Sequence, residues 1–288
     1  MIIRLLALLL PLLAPAAYPM DEAKAPVPCS SSTNGIIIDL SGKKLPESPN
    51  RIVQRSGLMP GITSVDRPVL LLRKTGGTHP KGTILLLPGG GYSALAIQHE
   101  GELVADFLNR QEFDVAILEY SIGRTPSIRG KALRDARKAW HLLTTRGGEW
   151  GLRTNTVGIM GFSTGGHLAA CLTHVLGRNH GPDFLVMVYP AYLDEHAGSA
   201  GLDPAVALPK DSKARLFVLF GDKDKPNWIR AASAYAEACR QDGKTIEFHL
   251  LSWAGHGFGM KHNRTGSASA WERLLENFLG KIKSSRRP

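Results

Sequence analysis

The stretch GIMGFSTGGHLAA, residues 158–170, decides the fold. It places Ser163 between Gly161 and Gly165, where an apolar run ends and a run with helical spacing begins. A strand, a sharp turn and a helix in this order are typical of a nucleophile elbow, in which the turn lifts a serine hydroxyl above a sheet. Glycines flank such a serine because larger side chains would collide across the turn. With 31 glycines in the chain, the pentapeptide alone is weak evidence, so the surrounding sequence has to support it.

Apolar runs of strand length alternate with helical patterns on both sides of this turn. The runs are RPVLLLRK, GTILLLPG, FDVAILEYS, TVGIMGFS, DFLVMVYP, RLFVLFGD and IEFHLLSW. Helical spacing predicts helices over residues 100–110, 130–145, 165–175, 229–241 and 268–278. Strands that are apolar throughout and separated by helices predict an α/β fold with a mostly parallel central sheet and helices on both faces. Ligands bind such sheets at the carboxyl ends of the strands, and we expect residues 190–214 to form a small lid there.

The 288 residues, of which 43% are hydrophobic, divide into three predicted parts. Residues 1–20 read as a signal peptide, with Arg4 ahead of a short apolar run and small residues after it. Residues 21–60 are rich in Pro, Ser and Gly, and only the short run GIIIDL, residues 35–40, suggests a strand there. This segment is predicted to be a linker and an irregular lead-in, and residues 61–288 the catalytic domain. Because the apolar run is too short to span a bilayer, we expect export to the periplasm or the medium without stable membrane insertion, and a permanent anchor is the less favoured alternative.

Charge and cysteine content argue against several other classes of protein. The net charge is +10, but the lysines and arginines are scattered and no nucleic-acid-binding motif accompanies them, so no nucleic-acid partner is expected. Cys29, Cys171 and Cys239 are odd in number and lack metal-ligand spacing, so neither a disulfide framework nor a metal site is predicted. Cys171 and Cys239 fall in helical patterns, where we expect inert core thiols.

A nucleophilic serine needs a base, and the sequence offers one after the last predicted strand. His256 in WAGHGFGM lies in a glycine-rich loop at the carboxyl edge, from which an imidazole can turn back towards Ser163. His167 lies one helical turn after Ser163 and is interpreted as a structural group. His99 in QHEG precedes the first predicted helix and is interpreted as a residue that shapes its loop.

The acid and the oxyanion donors are predicted from two further strand ends. LFVLFGDKDKPNW supplies Asp222 and Asp224, either of which could orient His256 while the other caps the following helix, and we favour Asp224. LLLPGGGYSAL places three glycines directly after a strand, where backbone N–H groups can approach a substrate carbonyl oxygen. We predict an oxyanion hole from the N–H groups of Gly90, Gly91 and Thr164. The glycine run lacks the Lys-Ser/Thr of a phosphate-binding loop.

In combination, PGGGY, QHEG, GIMGFSTGGHLAA, PDFLVMVYPAYL and AGHGFGM resemble the α/β-hydrolase superfamily, and within it bacterial acetylxylan and other carbohydrate esterases. The resemblance extends from about residue 61 to residue 279. It implies the α/β-hydrolase fold, a triad of Ser163, Asp224 and His256, and hydrolysis of small acyl groups, often acetyl, from sugars or polysaccharides without a metal or organic cofactor. The chain departs from the pattern in GDKDKPNW, where such esterases often carry Asp-x-x-Val-Pro, and in Thr164, where alanine is commoner.

These observations lead to one preferred hypothesis and two alternatives. The preferred hypothesis is an exported serine esterase that acts on an acylated carbohydrate or another small ester. A serine peptidase or a general carboxylesterase or lipase would use the same triad, but the sequence shows neither a propeller-like gating domain nor a long apolar lid. A non-catalytic binding protein is disfavoured because every group that the chemistry requires is present.

Overall fold

The computed structural model describes residues 35–54, 59–194, 201–261 and 266–282. The predicted signal peptide and Cys29 lie outside these residues. The strands are β1 (Ile36–Asp39), β2 (Lys44–Leu45), β3 (Ile52–Val53), β4 (Gly61–Ile62), β5 (Val69–Arg73), β6 (Gly82–Leu87), β7 (Phe113–Glu119), β8 (Val157–Phe162), β9 (Phe184–Val188), β10 (Arg215–Gly221) and β11 (Ile246–Leu251). The helices are α1 (Leu103–Arg110), α2 (Ile128–Arg146), α3 (Thr164–His180), α4 (Pro226–Gln241) and α5 (Trp271–Gly280).

One sheet carries nine of these strands, in the order β11-β10-β9-β8-β6-β7-β5-β1-β2. Pairing is parallel from β11 to β7 and antiparallel from β7 to β2. The seven apolar runs form β5 to β11, and every residue of β6, β7, β8 and β9 is buried. This burial explains why the runs are apolar throughout, since helices cover both faces of a parallel sheet. The prediction of an α/β fold with a mostly parallel sheet is confirmed.

The helices lie on the two faces of the sheet as right-handed crossovers require. The connection through α1 leads from β6 to β7 in one direction along the sheet, whereas the connections through α2, α3 and α4 lead in the other direction. Because such crossovers are right-handed, α1 lies on the opposite face of the sheet from those three helices. Helix α5 lies on the same face of the sheet as α1, since the ring centroids of Trp271 on α5 and Phe107 on α1 are 6.4 Å apart. Among the residues that the structure covers, no helix combines the length and the apolar character needed to cross a membrane.

The sheet extends beyond the predicted domain boundary at residue 61. The GIIIDL run forms β1, which pairs with β5 along its whole length, and β2 pairs with β1. The carboxylate of Asp39 accepts hydrogen bonds from the backbone N–H groups of Ser41 and Lys43. These bonds close the turn between β1 and β2. Part of the segment expected to be a linker therefore forms the last two strands at one end of the sheet, with β2 at the edge.

Two predicted helices begin later than the sequence pattern indicates. Residues 98–102 form a π-helical turn ahead of α1, which directs Glu100 into the interior, where its side chain is fully buried. Residues 266–269 form a 3₁₀ turn ahead of α5. In both places an apolar periodicity continues across a change of helix type, so periodicity alone could not locate the start.

The segment predicted as a lid is described at residues 190–194 and 201–214. It contains a 3₁₀ turn, Pro204–Val206, which begins after the capping side chain of Asp203. Val206 and Leu208 are buried, and the backbone oxygen of Ala207 lies 2.7 Å from the imidazole of His174 on α3. These residues pack against α3, and the lid remains a prediction.

Candidate active site

Ser163 lies in a tight turn between β8 and α3 with φ 50° and ψ −117°. This conformation costs about 1–3 kcal/mol for a non-glycine residue, so the surrounding structure has to enforce it. The N–H of Ser163 donates to the backbone oxygen of Val188, and its own backbone oxygen accepts from Ala191 and His167. The bend is so sharp that the backbone at Gly161 lies against the backbone at Gly165. A Cβ on Gly161 would collide with the carbonyl of Gly165.

Ser163, His256 and Asp224 form a continuous chain of polar contacts. The Oγ of Ser163 lies 2.8 Å from Nε2 of His256, and Nδ1 of His256 lies 2.7 Å from Oδ2 of Asp224. The side chain of Asp224 is fully buried, whereas that of His256 is 30% exposed. Since a carboxylate accepts the proton of Nδ1, Nε2 is left as an acceptor for the serine hydroxyl. This arrangement can remove a proton from Ser163 and return it.

Local structure fixes the orientation of His256 and Asp224. The second carboxylate oxygen of Asp224 accepts the N–H of Lys225 at 2.6 Å, next to the start of α4. The imidazole packs between two aromatic rings, with centroid distances of 5.0 Å to Tyr189 and 4.9 Å to Trp228. Both rings restrict the imidazole to the direction of Ser163 and exclude water from part of its surface.

The glycine loop approaches the serine at Gly89, where an added Cβ would lie 2.8 Å from Cβ of Ser163. The N–H groups of Gly90, Gly91 and Thr164 donate to no acceptor within the described part of the chain. Thr164 begins α3, so its free N–H also lies at the positive end of the helix dipole. Gly89 differs from its neighbours because its N–H donates to Oε2 of Glu100 at 2.8 Å. Among the described residues, these three donors are therefore available to a developing negative charge.

His167 and His99 lie near the site but away from the serine oxygen. Nδ1 of His167 is 2.7 Å from the hydroxyl of Tyr92, and burial lowers the pKa of His167 to about 4. The backbone oxygen of His99 accepts the N–H of Met260, which joins its loop to the loop of His256, and burial lowers the pKa of His99 to about 4. These low pKa values favour neutral imidazoles at pH 7, and neither imidazole forms a hydrogen bond with Ser163 among the described contacts.

Cys171 and Cys239 are buried, and burial raises the pKa of each thiol to about 12. Neither thiol forms a disulfide. Because the thiolate is the reactive form, these thiols are inert at neutral pH.

Two cavities flank the glycine loop. One, of 310 Å³, is lined by Gly91, Tyr92, Arg129 and Tyr192 among others, and the guanidinium of Arg129 lies 4.5 Å from the centre of the Tyr192 ring. The other, of 220 Å³, is lined mainly by apolar groups and also by His99 and Lys261. Both cavities are of a size that suits small groups attached to a bound ester.

Sequence reasoning did not single out Glu100, Tyr189 or Trp228, which all lie at the site. Tyr189 follows β9 at the carboxyl edge of the sheet, and Trp228 lies in the first turn of α4, directly after the aspartate loop. Position at a strand end is a signal that could have identified both. Glu100 stands within the quoted QHEG motif, but only the π-helical turn reveals that its carboxylate points inward.

The fold and the arrangement of serine, histidine and free backbone amides at one edge of the sheet define an α/β-hydrolase. The sequence model of the dienelactone hydrolase family matches residues 103–283. The chain belongs to the dienelactone hydrolase family, within the α/β-hydrolase superfamily that the sequence motifs resemble.

The chain is also similar to one curated protein in sequence and to solved structures in fold. The chain is 32% identical over 113 residues to an acetylxylan esterase of Xylanibacter ruminicola, a match that covers 39% of this chain but only 23% of that protein. The fold is similar to that of an acetyl ester-xyloside bifunctional hydrolase from Caldicellulosiruptor lactoaceticus, with a TM-score of 0.62, 24% identity, and coverage of 75% of this chain and 88% of the other. It is also similar to esterase 2 of Thermogutta terrifontis, with a TM-score of 0.64, 17% identity, and coverage of 84% and 98%.

Proposed function

We propose that the protein is a serine esterase that hydrolyses short-chain, chiefly acetyl, esters of a carbohydrate through an acyl-enzyme. The observation that carries the proposal is the chain from Ser163 through His256 to Asp224, with contacts of 2.8 and 2.7 Å. It is supported by the backbone N–H groups of Gly90, Gly91 and Thr164, which have no acceptor among the described residues. A nucleophile, a base, an orienting acid and an oxyanion hole are together what acyl transfer requires.

In the proposed mechanism, Ser163 Oγ attacks the ester carbonyl carbon while Nε2 of His256 takes the hydroxyl proton. The carbonyl oxygen becomes an oxyanion, which the N–H groups of Gly90, Gly91 and Thr164 stabilise. The C–O bond to the alcohol then breaks, and His256 gives its proton to the leaving alkoxide. Water repeats the sequence on the acyl-enzyme, which releases the carboxylic acid and restores Ser163. Asp224 keeps Nδ1 protonated and stabilises the imidazolium during both steps.

The substrate class rests on the relatives and on the site. The Xylanibacter relative is an acetylxylan esterase, and the Caldicellulosiruptor protein is an acetyl ester-xyloside hydrolase. The 220 Å³ cavity borders the glycine loop at Gly90, and we propose that it takes a small group of the ester. We also propose that the protein is exported, on the basis of the signal-peptide pattern in residues 1–20, and that residues 61–288 carry the catalytic function.

The proposal is tested with Ser163→Ala. We expect purified wild-type protein to hydrolyse p-nitrophenyl acetate and to release acetate from acetylated xylan, and the variant to lose both activities by at least about 10³-fold. A fluorophosphonate probe should label the wild-type protein at Ser163 and should not label the variant. Equal rates for the two proteins would refute the mechanism.

A series of esters of increasing acyl length distinguishes the substrate classes. We expect kcat/KM to be highest for acetyl or propionyl and to fall for chains longer than butyryl. A maximum at long acyl chains would reassign the protein as a general carboxylesterase or lipase, and cleavage of peptides at comparable rates would reassign it as a peptidase. Absence of probe labelling in folded wild-type protein would favour a non-catalytic role.

A further inference from the structure

We infer that Glu100 is a positioning residue which, through Tyr189, holds the glycine loop of the oxyanion hole and the loop of His256 at a fixed separation. The inference rests on the proposed function, because it assigns a role within the same site. It concerns a buried carboxylate that takes no part in the proton transfers described above.

The hydrogen bonds of Glu100 connect the two loops in series. Oε2 accepts the N–H of Gly89 at 2.8 Å, and Oε1 accepts the hydroxyl of Tyr189 at 2.9 Å. The Tyr189 oxygen in turn accepts the N–H of Gly259, three residues after His256, at 2.9 Å. Three hydrogen bonds therefore link the residue before Gly90 to the loop that carries the base.

Close packing supports the same connection. A Cβ on Gly89 would lie 2.7 Å from Oε2 of Glu100 and 2.8 Å from Cβ of Ser163. A Cβ on Gly259 would lie 2.6 Å from the backbone oxygen of His99 and 3.2 Å from Cγ of Glu100. Glycine at both positions allows the two loops to touch Glu100, so the carboxylate fills the space between them. A shift of its side chain would move both loops.

Tyr189 extends the connection to the base itself. Its ring lies 5.0 Å from the imidazole of His256 and 4.6 Å from the ring of Phe258. Tyr189 has a positive φ of 40°, which turns its side chain from the end of β9 into the site. The residue thus contacts His256 with its ring and Glu100 with its hydroxyl.

The chemistry of Glu100 argues against a merely space-filling role. Burial raises its pKa, and desolvation of a carboxyl is costly, so an apolar residue would stabilise a simple core better. The hydrogen bonds from Gly89 and Tyr189 and the charges of His256 and Lys261 act in the opposite direction and favour ionisation. A carboxylate offers two oxygens that only accept, which suits the two donors that converge on it.

The position of an oxyanion donor has a large effect on rate. Loss of one such donor lowers kcat by about 10²–10³-fold, and a misplacement of about 1 Å costs roughly 10²-fold. In the described contacts, neither Glu100 nor Tyr189 forms a hydrogen bond with Oγ of Ser163 or with a ring nitrogen of His256, and Tyr189 touches His256 only by ring packing. Their effect is therefore expected on kcat, through the geometry of the donors and the base, rather than on substrate affinity.

The test compares Glu100→Gln, Glu100→Ala and Tyr189→Phe with a matched control, Glu119→Gln. Glu119 is also a buried carboxyl with a raised pKa and side-chain donors, Asn50 and Ser48, but it contacts neither loop. We expect Glu100→Ala to lower kcat on p-nitrophenyl acetate by about 30–100-fold while KM changes by less than about threefold. Glu119→Gln should leave both constants within about twofold of the wild type.

Conservative variants keep the test meaningful if Glu100→Ala fails to fold. Glu100→Gln and Tyr189→Phe preserve the volume of each side chain, and the glutamine oxygen can still accept from Gly89. We expect Glu100→Gln to retain more activity than Glu100→Ala, and Tyr189→Phe to lower kcat without abolishing fluorophosphonate labelling of Ser163. Melting temperatures of all variants show whether a lower rate merely reflects unfolded protein.

A double-mutant cycle decides whether the two residues act together. If Glu100 acts on the His256 loop through Tyr189, the double variant Glu100→Gln/Tyr189→Phe should lose far less rate than the product of the single effects. Multiplicative effects would overturn the connection, and so would kcat values for the single variants equal to that of Glu119→Gln. An inactive, unlabelled wild-type protein would instead contradict the proposed function, so the two failures are distinguishable.

Discussion

The carboxylate of Asp224, and not that of Asp222, meets the imidazole of His256, at a distance of 2.7 Å between Oδ2 and Nδ1. The N–H of Asp222 continues the pairing of β10 with β11 by donating to Leu251, and its carboxylate lies 4.0 Å from the amine of Lys223. The departure of GDKDKPNW from the commoner Asp-x-x-Val-Pro pattern is accommodated because Pro226 begins α4 and the N–H of Lys225 holds the carboxylate of Asp224.

The two aspartates give the first prediction. Asp224→Asn should lower kcat on p-nitrophenyl acetate by about 10³–10⁴-fold, because an amide cannot stabilise the imidazolium and favours the wrong tautomer of His256. Asp222→Asn is the control of equal size and charge change on the same loop, and its kcat should stay within about threefold of the wild type. If Asp222→Asn were the more damaging variant, Asp224 would not be the acid of the triad.

The two histidines near the serine are predicted to respond in opposite ways. His256→Ala should abolish esterase activity with little change in melting temperature, because its side chain is partly exposed and its role is proton transfer. His167→Ala should lower the free energy of unfolding by about 1–3 kcal/mol, because it leaves the hydroxyl of Tyr92 buried without its partner.

Paired measurements of kcat and of thermal unfolding check this contrast. His167→Ala protein that remains folded should still react with a fluorophosphonate probe, whereas His256→Ala should react slowly or not at all. A folded His167→Ala variant as inactive as His256→Ala would assign His167 a part in the chemistry.

The glycine loop supports a third prediction. A Cβ on Gly90, whose φ is 136°, would collide with the backbone oxygen of Ala94. At Gly91, with φ 68°, a Cβ would have ordinary contact with Oγ of Ser93 at 3.7 Å. Gly90→Ala should displace the loop and lower kcat by about 10²-fold or more. Gly91→Ala carries only the backbone strain of roughly 1–2 kcal/mol and should retain more activity. The order of the two kcat values is the measurement, and the reverse order would contradict the assigned loop geometry.

The sequence was sufficient for the architecture because each of its signals is local. Strands buried on both faces need continuous apolar runs, and the elbow needs glycines at positions 161 and 165, so both features are legible in the chain. Chain order also brought the serine, aspartate and histidine regions to one edge of the sheet, since parallel strands end on the same side. These predictions depend on little besides spacing and polarity.

Features that depend on contacts between distant segments could not be predicted from the sequence. The choice between Asp222 and Asp224 is set by the exact turn after β10, and both residues have the same local signal. The inward direction of Glu100 results from a π-helical turn that inserts an extra residue per turn, a change that no periodicity reveals. The run GIIIDL suggests a strand, but its incorporation into the sheet as β1 depends on pairing with β5, whose paired residues are 30 to 36 positions away in the chain.

The final prediction concerns the pH dependence of stability and uses Glu119, which lies at the end of β7. Burial raises its pKa from 4.5 to about 7, despite hydrogen bonds from Asn50 and Ser48. The folded protein therefore binds a proton at this site more tightly than the unfolded chain does, so the stability contributed by this group is greatest below pH 4.5 and is lost as the pH rises towards 7. The loss amounts to at most about 3 kcal/mol.

Glu119→Gln removes this titration, so the free energy of unfolding of the variant should increase relative to that of the wild type as the pH rises from 5 to 8. Urea unfolding of both proteins across this range measures the difference between their free energies of unfolding. The buried His99 and His167 contribute a pH dependence of the opposite sign, but it is the same in both proteins and cancels in this difference. A difference that is independent of pH would show that Glu119 has an ordinary pKa in the folded protein.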